Sequence, residues 1–280
     1  MKRLCVIGDP VEHSRSPIIQ TAMIRAAGLD MTYGMQRVTA GQTGAWLERA
    51  KEEGWAGFNA TMPHKQALVT LVDELSDDAA RFGAVNTVCI REGRVYGHNT
   101  DGAGVLQALR QSGMDPADRR VLVLGAGGAA RAVVSKLVQA GAARITVANR
   151  TPDRAREVCD GVGSSALCAC GFEPETLQER ARHSDLVINC TSLGMTGTGA
   201  QFEGLRFLEA LPRDAGVFDL IYSPARTALL ERAEQLGRNT ANGLGMLIWQ
   251  GVYALELFAG ETLEEERLAA VARKALEGMI

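Results

Sequence analysis

The sequence predicts a two-domain α/β protein in which one sheet is parallel and doubly wound. Three observations lead there. Short apolar runs alternate with helix-period segments nearly from end to end, the pattern of strands buried on both faces beneath helices. The length, 280 residues, is about two domains' worth. Glycine is abundant, at 31 residues, as a chain with many tight turns and close backbone approaches requires.

The elements follow in order. Residues 4–8 read as a buried strand. Ser16 reads as the N-cap of a helix with Pro17 at its first position and Gly28 after its last turn, and Ile18, Ile19, Ala22, Met23 and Ala26 recur at helical spacing. A strand over 33–38, a helix over 43–51 and a short strand over 57–60 come next. Pro63 is expected to open a helix with Lys65 in its first turn. Residues 85–90 and 94–97 read as a hairpin. Asp101 is placed at the start of a helix carrying Val105, Leu106 and Leu109.

Residues 121–124 form an apolar run that ends in glycines, followed by a helix to Ala140 that Gly141 stops. Further strands are read at 145–148, 186–190 and 217–221. The segment 244–258 is apolar nearly all round, so as a helix it needs neighbours on every side. A last helix is expected from Thr262, where Thr262-x-x-Glu265 fits a capping box. These C-terminal helices are expected to pack back on the first domain. That gives a first domain of residues 1–101 with 244–280 and a second of 102–243, joined by helices with a cleft between them.

Charge and composition remove several function classes. Thirty basic against 33 acidic residues give a net charge of −3, with no electrostatic footprint for nucleic acid or an anionic membrane. Aromatics at 5% argue against a base-stacking surface. The six cysteines include no Cys-x-x-Cys, and Cys168-x-Cys170 is too tight for the usual zinc pair, so no metal is expected. They read as reduced thiols of a cytoplasmic protein. No signal peptide and no run long enough to span a membrane is read.

Two groups of residues carry chemistry. Gly125-Ala126-Gly127-Gly128-Ala129-Ala130 sits between a strand and a helix, as the Gly-x-Gly-x-x-Ala form of a dinucleotide-binding Rossmann turn. The first glycine makes the turn, the second admits a pyrophosphate at the helix N-terminus, and the small residue brings helix and strand together. At the tip of the next strand, where an NAD site carries a carboxylate, stand Asn149-Arg150-Thr151 and then Arg154. Two guanidinium groups suit a 2′-phosphate, which predicts NADP.

In the first half, polar residues collect near predicted strand ends: Ser14 and Ser16, Asn59 and Thr61, Lys65, Asn86, and Asp101. A lysine in the first turn of a helix opposes the helix dipole, an arrangement that suits proton transfer. Gln250 is a second anomaly, an amide within an apolar helix that needs a backbone or ligand partner.

Taken together, and in this order along the whole chain, the sequence resembles the shikimate dehydrogenase family. The resemblance rests on Gly8-Asp9-Pro10-Val11-Glu12-His13-Ser14-Arg15-Ser16-Pro17, Asn59-Ala60-Thr61-Met62-Pro63-His64-Lys65, Gly83-Ala84-Val85-Asn86-Thr87 and Asn99-Thr100-Asp101-Gly102. It continues through the glycine turn, Asn149-Arg150-Thr151, Asp219-Leu220-Ile221-Tyr222 and Gly243-Leu244-Gly245-Met246-Leu247. It implies NADP-dependent interconversion of 3-dehydroshikimate and shikimate in aromatic amino-acid biosynthesis. Lys65 and Asp101 would be the acid–base pair. Ser14, Ser16, Asn59, Thr61, Asn86, Tyr222 and Gln250 would hold substrate. Gly125, Ala126, Gly127, Gly128, Ala129, Asn149, Arg150, Thr151 and Arg154 would bind NADP, with Leu220, Gly243 and Asp77 on the nicotinamide side.

One departure is Asn242, which precedes Gly243 where the family carries aspartate. Quinate or dual quinate/shikimate dehydrogenase is the neighbouring alternative. Serine at both 14 and 16 favours shikimate, because quinate-preferring relatives carry threonine at the second position. A catalytically silent NADP-sensing protein would break the Lys/Asp pair, which is intact here. A monomer or homodimer is expected.

Overall fold

In the computed structural model, which describes residues 1–279, the chain divides into two units: Met1–Gly104 with Leu247–Met279, and Val105–Met246. The unit boundaries fall inside helices α4 (Asp101–Gln111) and α9 (Leu244–Ala259).

The first unit opens with β1 (Lys2–Gly8), α1 (Ser16–Ala27), β2 (Met31–Arg37), α2 (Thr43–Glu52) and β3 (Gly57–Ala60). A 3₁₀ turn at Ala67–Thr70, β4 (Glu74–Leu75), α3 (Asp77–Phe82), β5 (Thr87–Arg91) and β6 (Arg94–His98) follow. The sheet order is β2-β1-β3-β5-β6-β4. β1 is parallel to β2 and β3, whereas β5 is antiparallel to both β3 and β6. The β5–β6 hairpin turns on Glu92 and Gly93, both at positive φ, as a two-residue primed turn requires. Because β5 runs backwards, the ends of β1, β3 and β6 and the start of β5 share one edge of the sheet. Cys5, Ile7, Phe58, Val88 and Val95 form the core beneath α2, with Trp46 and Leu47 packed on them.

α9 and α10 (Glu265–Ala275) belong to this unit's helical cover, with α10 packed against α1. α9 approaches α1 so closely that a Cβ on Gly251 would lie 2.9 Å from Ile19 Cδ1. The buried Gln20 amide donates to the Gly251 carbonyl at 2.8 Å.

The second unit is a fully parallel sheet of β7 (Arg120–Leu124), β8 (Arg144–Ala148), β9 (Leu167–Cys170), β10 (Leu186–Asn189), β11 (Gly216–Asp219) and β12 (Asn239–Ala241). Its order, β12-β11-β10-β7-β8-β9, is that of the Rossmann fold, with the switch point between β7 and β10. Alternate residues serve two cores. Val121, Val123, Ile145, Val147 and Ile188 pack with α5 (Gly128–Gln139) and α6 (Pro152–Val162). Leu122, Leu124, Val187 and Val217 pack with α7 (Pro174–Arg182) and α8 (Ala228–Gln235). Burial on both faces explains why these strands read as unbroken apolar runs.

Local readings changed in three places. Ser16 is the first helical residue and Arg15 the N-cap, so the Ser16 hydroxyl is not spent on capping. Pro63 opens no α-helix, and Lys65 lies before the 3₁₀ turn at Ala67–Thr70. Residues 62–66 form turns, closed by His64 N–H donating to the Thr61 carbonyl at 2.9 Å, so the dipole argument for Lys65 lapses. α10 starts at Glu265 without the Thr262 capping box, because Glu265 N–H, which the Thr262 hydroxyl would have to cap, donates instead to the Leu263 carbonyl at 2.9 Å. Edge strands β9 and β12 lay outside the expected set.

Burial pushes the Cys5 thiol to about 12 and the Cys89 thiol to about 11. At pH 7 roughly one in ten thousand Cys89 side chains is then a thiolate. Iodoacetamide at pH 7 should leave Cys5 and Cys89 unmodified in the native protein and alkylate both in denaturant, as peptide mass mapping will show. Equal labelling in the two states would contradict this burial.

Candidate active site

The shared edge of the first sheet assembles a polar cluster. Lys65 Nζ donates to Asp101 Oδ2 at 2.6 Å. Among the described residues, its other two ammonium hydrogens have no protein acceptor. The second carboxylate oxygen of Asp101, Oδ1, accepts from Asn86 Nδ2 at 2.8 Å. Asp101 opens α4, and its own N–H donates to Asn99 Oδ1 at 3.0 Å.

The turn that carries Lys65 is fixed from three sides. Thr61 N–H donates to the Ile7 carbonyl at 2.9 Å, and Val85 N–H donates to the Lys65 carbonyl at 2.8 Å. His64 is fully buried beside it. Its Nε2 lies 2.7 Å from the Val38 carbonyl, which can only accept. Nε2 therefore carries the proton, and Nδ1 accepts from the Thr43 hydroxyl at 2.8 Å. Gly8 leaves room for Thr61: a Cβ there would lie 2.5 Å from Thr61 Cγ2.

Ser14 and Ser16 flank the N-cap of α1, the Ser14 hydroxyl accepting from Ser16 N–H at 3.3 Å. Asn59 is buried, and both its amide hydrogens go to protein, at Asn86 O (3.1 Å) and Thr87 Oγ1 (2.9 Å). Asn86 is spent likewise on Thr100 Oγ1 (3.0 Å) and Asp101. Toward a ligand Asn59 offers acceptor capacity alone, at the Oδ1 that also accepts from the Tyr33 hydroxyl, whereas Asn86 Oδ1 already accepts from the Thr87 hydroxyl and Thr100 N–H, so that Asn86 is spent on protein. Gln250 gives its amide N–H to the Leu247 carbonyl of its own helix at 2.8 Å, the backbone partner. Asp77 opens α3 and lines a surface depression of about 390 Å³ with Ser76, His98 and Asn99. It belongs to the first unit, whereas Tyr222 follows β11 in the second.

In the second unit the glycine turn lies at the switch point. Gly125 has φ +102°, and its N–H donates to the Ala148 carbonyl at 2.8 Å. A Cβ there would meet Thr191 Cγ2 at 2.9 Å, so glycine is obligatory. Gly127 is the N-cap of α5 with an ordinary φ of −87°. Neither Gly127 nor Gly128 has a protein atom within 4 Å of where a Cβ would stand. Gly127, Gly128 and Ala129 are exposed at the start of the helix, while Ala130 is buried against the sheet. Asn149 donates to the Thr151 carbonyl at 2.9 Å, and Thr151 caps α6. Arg150 and Arg154 are exposed and, among the described residues, pair with no carboxylate. Asp153, the carboxylate nearest them in sequence, is engaged by Arg156.

Buried Asp219 ties the ends of β10 and β11 together. It accepts from Asn189 (2.9 Å), Ile221 N–H (3.0 Å) and the Thr227 hydroxyl (2.7 Å). Burial holds its carboxyl above the ordinary value, against these three donors. Asn189 in turn accepts from Thr191 N–H and hydroxyl. One polar network thus runs from the residue packed on Gly125 to the segment bearing Leu220 and Tyr222. Asn242 donates to the Ala225 carbonyl at 2.8 Å and accepts from Leu244 N–H at 3.1 Å. An aspartate could make only the second bond, which gives the asparagine a local reason.

The chain matches two family models in succession, the shikimate dehydrogenase substrate binding domain over residues 6–88 and shikimate / quinate 5-dehydrogenase over residues 107–196. A shikimate dehydrogenase (NADP(+)) of Geobacter sp. (strain M21) is 44% identical over 274 residues, covering 95% of this chain and 93% of the relative. The chain belongs to the shikimate dehydrogenase family. Among solved members, the shikimate 5-dehydrogenase of Thermus thermophilus, in complex with NADP(H) and shikimate, superposes with a TM-score of 0.86 at 35% identity. That match covers 99% of this chain and all of the other. Quinate dehydrogenase of Corynebacterium glutamicum, in complex with NAD, also gives 0.86 at 31% identity, covering 98% and 99% of the two chains.

Sequence reasoning did not single out His64, Thr87, Tyr33, Asn189 or Asp219 as site supports. Asn189 and Asp219 had a signal: each is a polar residue closing an apolar strand. The tightest backbone approach in this family site is at Gly243, where a Cβ would lie 1.9 Å from the Leu220 carbonyl oxygen. Gly243→Ala should lower unfolding stability by about 1–3 kcal/mol through overpacking, read as a lower urea midpoint. A wild-type midpoint would contradict that close approach.

Proposed function

We propose that the protein catalyses the reversible NADPH-dependent reduction of 3-dehydroshikimate to shikimate, with Lys65 and Asp101 as its acid–base pair. The observation that carries this reading is the 2.6 Å bond from Lys65 to Asp101, with the remaining ammonium hydrogens available at the strand edge. Relatives named for this activity support it along the whole chain.

Bound NADPH supplies the hydride that reduces the ketone carbon. Lys65 Nζ gives a proton to the ketone oxygen as charge develops there, leaving a neutral amine that regains its proton from solvent. In the oxidation Lys65 takes the hydroxyl proton instead. Asp101 fixes the direction of Nζ, and Asn86 fixes Asp101. Ser14, Ser16 and Thr61 are hydroxyls suited to substrate oxygens, joined by Tyr222 and Gln250. Asn59 would act on substrate only as an acceptor, and Asn86, its amide spent on Thr87, Thr100 and Asp101, would act through Asp101.

The second unit fits a dinucleotide. Gly127 needs no glycine for its own backbone or for a protein neighbour, so an absent side chain there keeps the helix N-terminus open to a pyrophosphate. Gly125 through Ala129 would form that cradle. Arg150 and Arg154, with Asn149 and Thr151, would hold a 2′-phosphate, which favours NADP. Leu220 and Gly243, with Asp77, would border the nicotinamide. The quinate reading is favoured by one observation, the likeness to an NAD-bound quinate dehydrogenase. No helix among the described residues is long and apolar enough to cross a membrane, and all six cysteines are free, which suits a cytoplasmic enzyme.

Initial rates with shikimate or quinate, each with NADP or NAD, test the reading. Shikimate with NADP should give the highest kcat/KM, and Lys65→Ala should lower kcat by about 10²–10⁴-fold with little change in shikimate Kd. Preferred turnover of quinate with NAD, or a Lys65→Ala variant with near-normal kcat, would overturn it.

A further inference from the structure

A single hydrogen-bond chain runs from β2 to the Asp101 carboxylate, and its direction is forced. Asn59 Nδ2 donates to the Asn86 backbone carbonyl (3.1 Å), which only accepts, so the orientation of that amide is fixed. Asn59 Oδ1 is therefore the atom that accepts from the Tyr33 hydroxyl at 2.6 Å. The orientation of Asn86 is fixed in the same way, because Thr100 N–H donates to its Oδ1 at 2.9 Å. Between them, Thr87 Oγ1 receives the second Asn59 N–H at 2.9 Å and sends its own proton to Asn86 Oδ1 at 2.8 Å. Asn86 Nδ2 then donates to Asp101 Oδ1 at 2.8 Å.

Every link points the same way: Tyr33 hydroxyl, Asn59 amide, Thr87 hydroxyl, Asn86 amide, Asp101 carboxylate. An amide that accepts at oxygen becomes a better donor at nitrogen, so aligned links strengthen one another, most of all where water is excluded. Tyr33, Asn59, Thr87 and Asn86 are each at least nine-tenths buried. The sheet register builds the chain, since Asn59 and Thr87 are direct partners across the antiparallel β3–β5 pair.

We propose that Thr87 and Tyr33 are positioning residues for the reaction: through Asn59 and Asn86 they lock the Asp101 carboxylate in the orientation that aims Lys65 Nζ. The proposal rests on the reading of Lys65 and Asp101 as the acid–base pair. Thr87→Val removes one hydroxyl at nearly constant shape, and each neighbouring asparagine keeps a backbone partner, so the fold should survive. A purely structural role would lower stability and leave kcat alone.

Three variants, Thr87→Val, Thr87→Ser and Tyr33→Phe, are to be compared with wild type in kcat and KM for shikimate with NADP. Thermal unfolding and the ¹H–¹⁵N signals of the Asn86 side-chain amide are recorded alongside. Thr87→Val should lower kcat about tenfold with KM within about twofold, as loss of a transition-state contribution. It should also move the Asn86 amide protons upfield. Thr87→Ser should restore both, and Tyr33→Phe, one link further away, should have a smaller effect of the same kind. A Thr87→Val kcat within twofold of wild type, or no rescue by serine, overturns the proposal. If wild type fails to turn over shikimate, the functional reading falls by itself. The Asn86 signals then decide the positioning claim: a shift in valine that serine reverses sustains it, and unchanged signals end it.

Discussion

The Asp101 carboxylate accepts from Lys65 on one oxygen and from Asn86 on the other, at 2.6 and 2.8 Å, and the first unit is arranged around that grip. A lysine side chain has four rotatable bonds, and only a fixed anion can give its ammonium a single direction. The anion must itself be held, which is what a saturated Asn86 does. Asn86 is held by Thr87 and Thr100, so the geometry of one proton donor depends on a buried polar network that reaches three strands away. Reversal of one strand makes this possible. With β5 antiparallel, Asn86 and Thr87 arrive at the same edge as the ends of β3 and β6.

The second unit solves a related problem without a cation. Asp219 is a buried acid satisfied by three donors, each within hydrogen-bond reach, and it joins the ends of β10 and β11 beside the switch point. Leaving a buried acceptor unpaired costs about 1–3 kcal/mol, more for a charged one, so the three donors constrain each other's positions. The loops bearing Leu220 and Gly243 inherit that rigidity.

Much of this was legible in the amino-acid order, for physical reasons. Strands such as β7, β10 and β11 bury both faces, so their apolar runs stand out, and the glycine turn lies where the pattern changes from strand to helix. The hairpin was legible because Glu92-Gly93 supplies positive φ. Edge strands β9 and β12 were not, being short and only partly buried. The helix expected at Pro63 failed because Met62 and Lys65 give their carbonyls to Asp9 N–H and Val85 N–H of other segments, leaving turns and a short 3₁₀ element in place of an α-helix. Candidate residues such as Lys65, Asp101 and Asn86 were readable as types near strand ends. Their connections were not, because Asn59 meets Thr87 only through strand register. His64 and Tyr33 resemble ordinary buried residues until their partners are known.

The central claim is that Asp101 aims Lys65 at the reacting oxygen. A crystal structure of the protein with shikimate and NADP bound tests it most directly. The account predicts Lys65 Nζ within hydrogen-bond distance of the hydroxyl on the carbon that exchanges hydride, with the Asp101 bond retained. A complex in which that hydroxyl is bonded to other groups and Lys65 points away would contradict it.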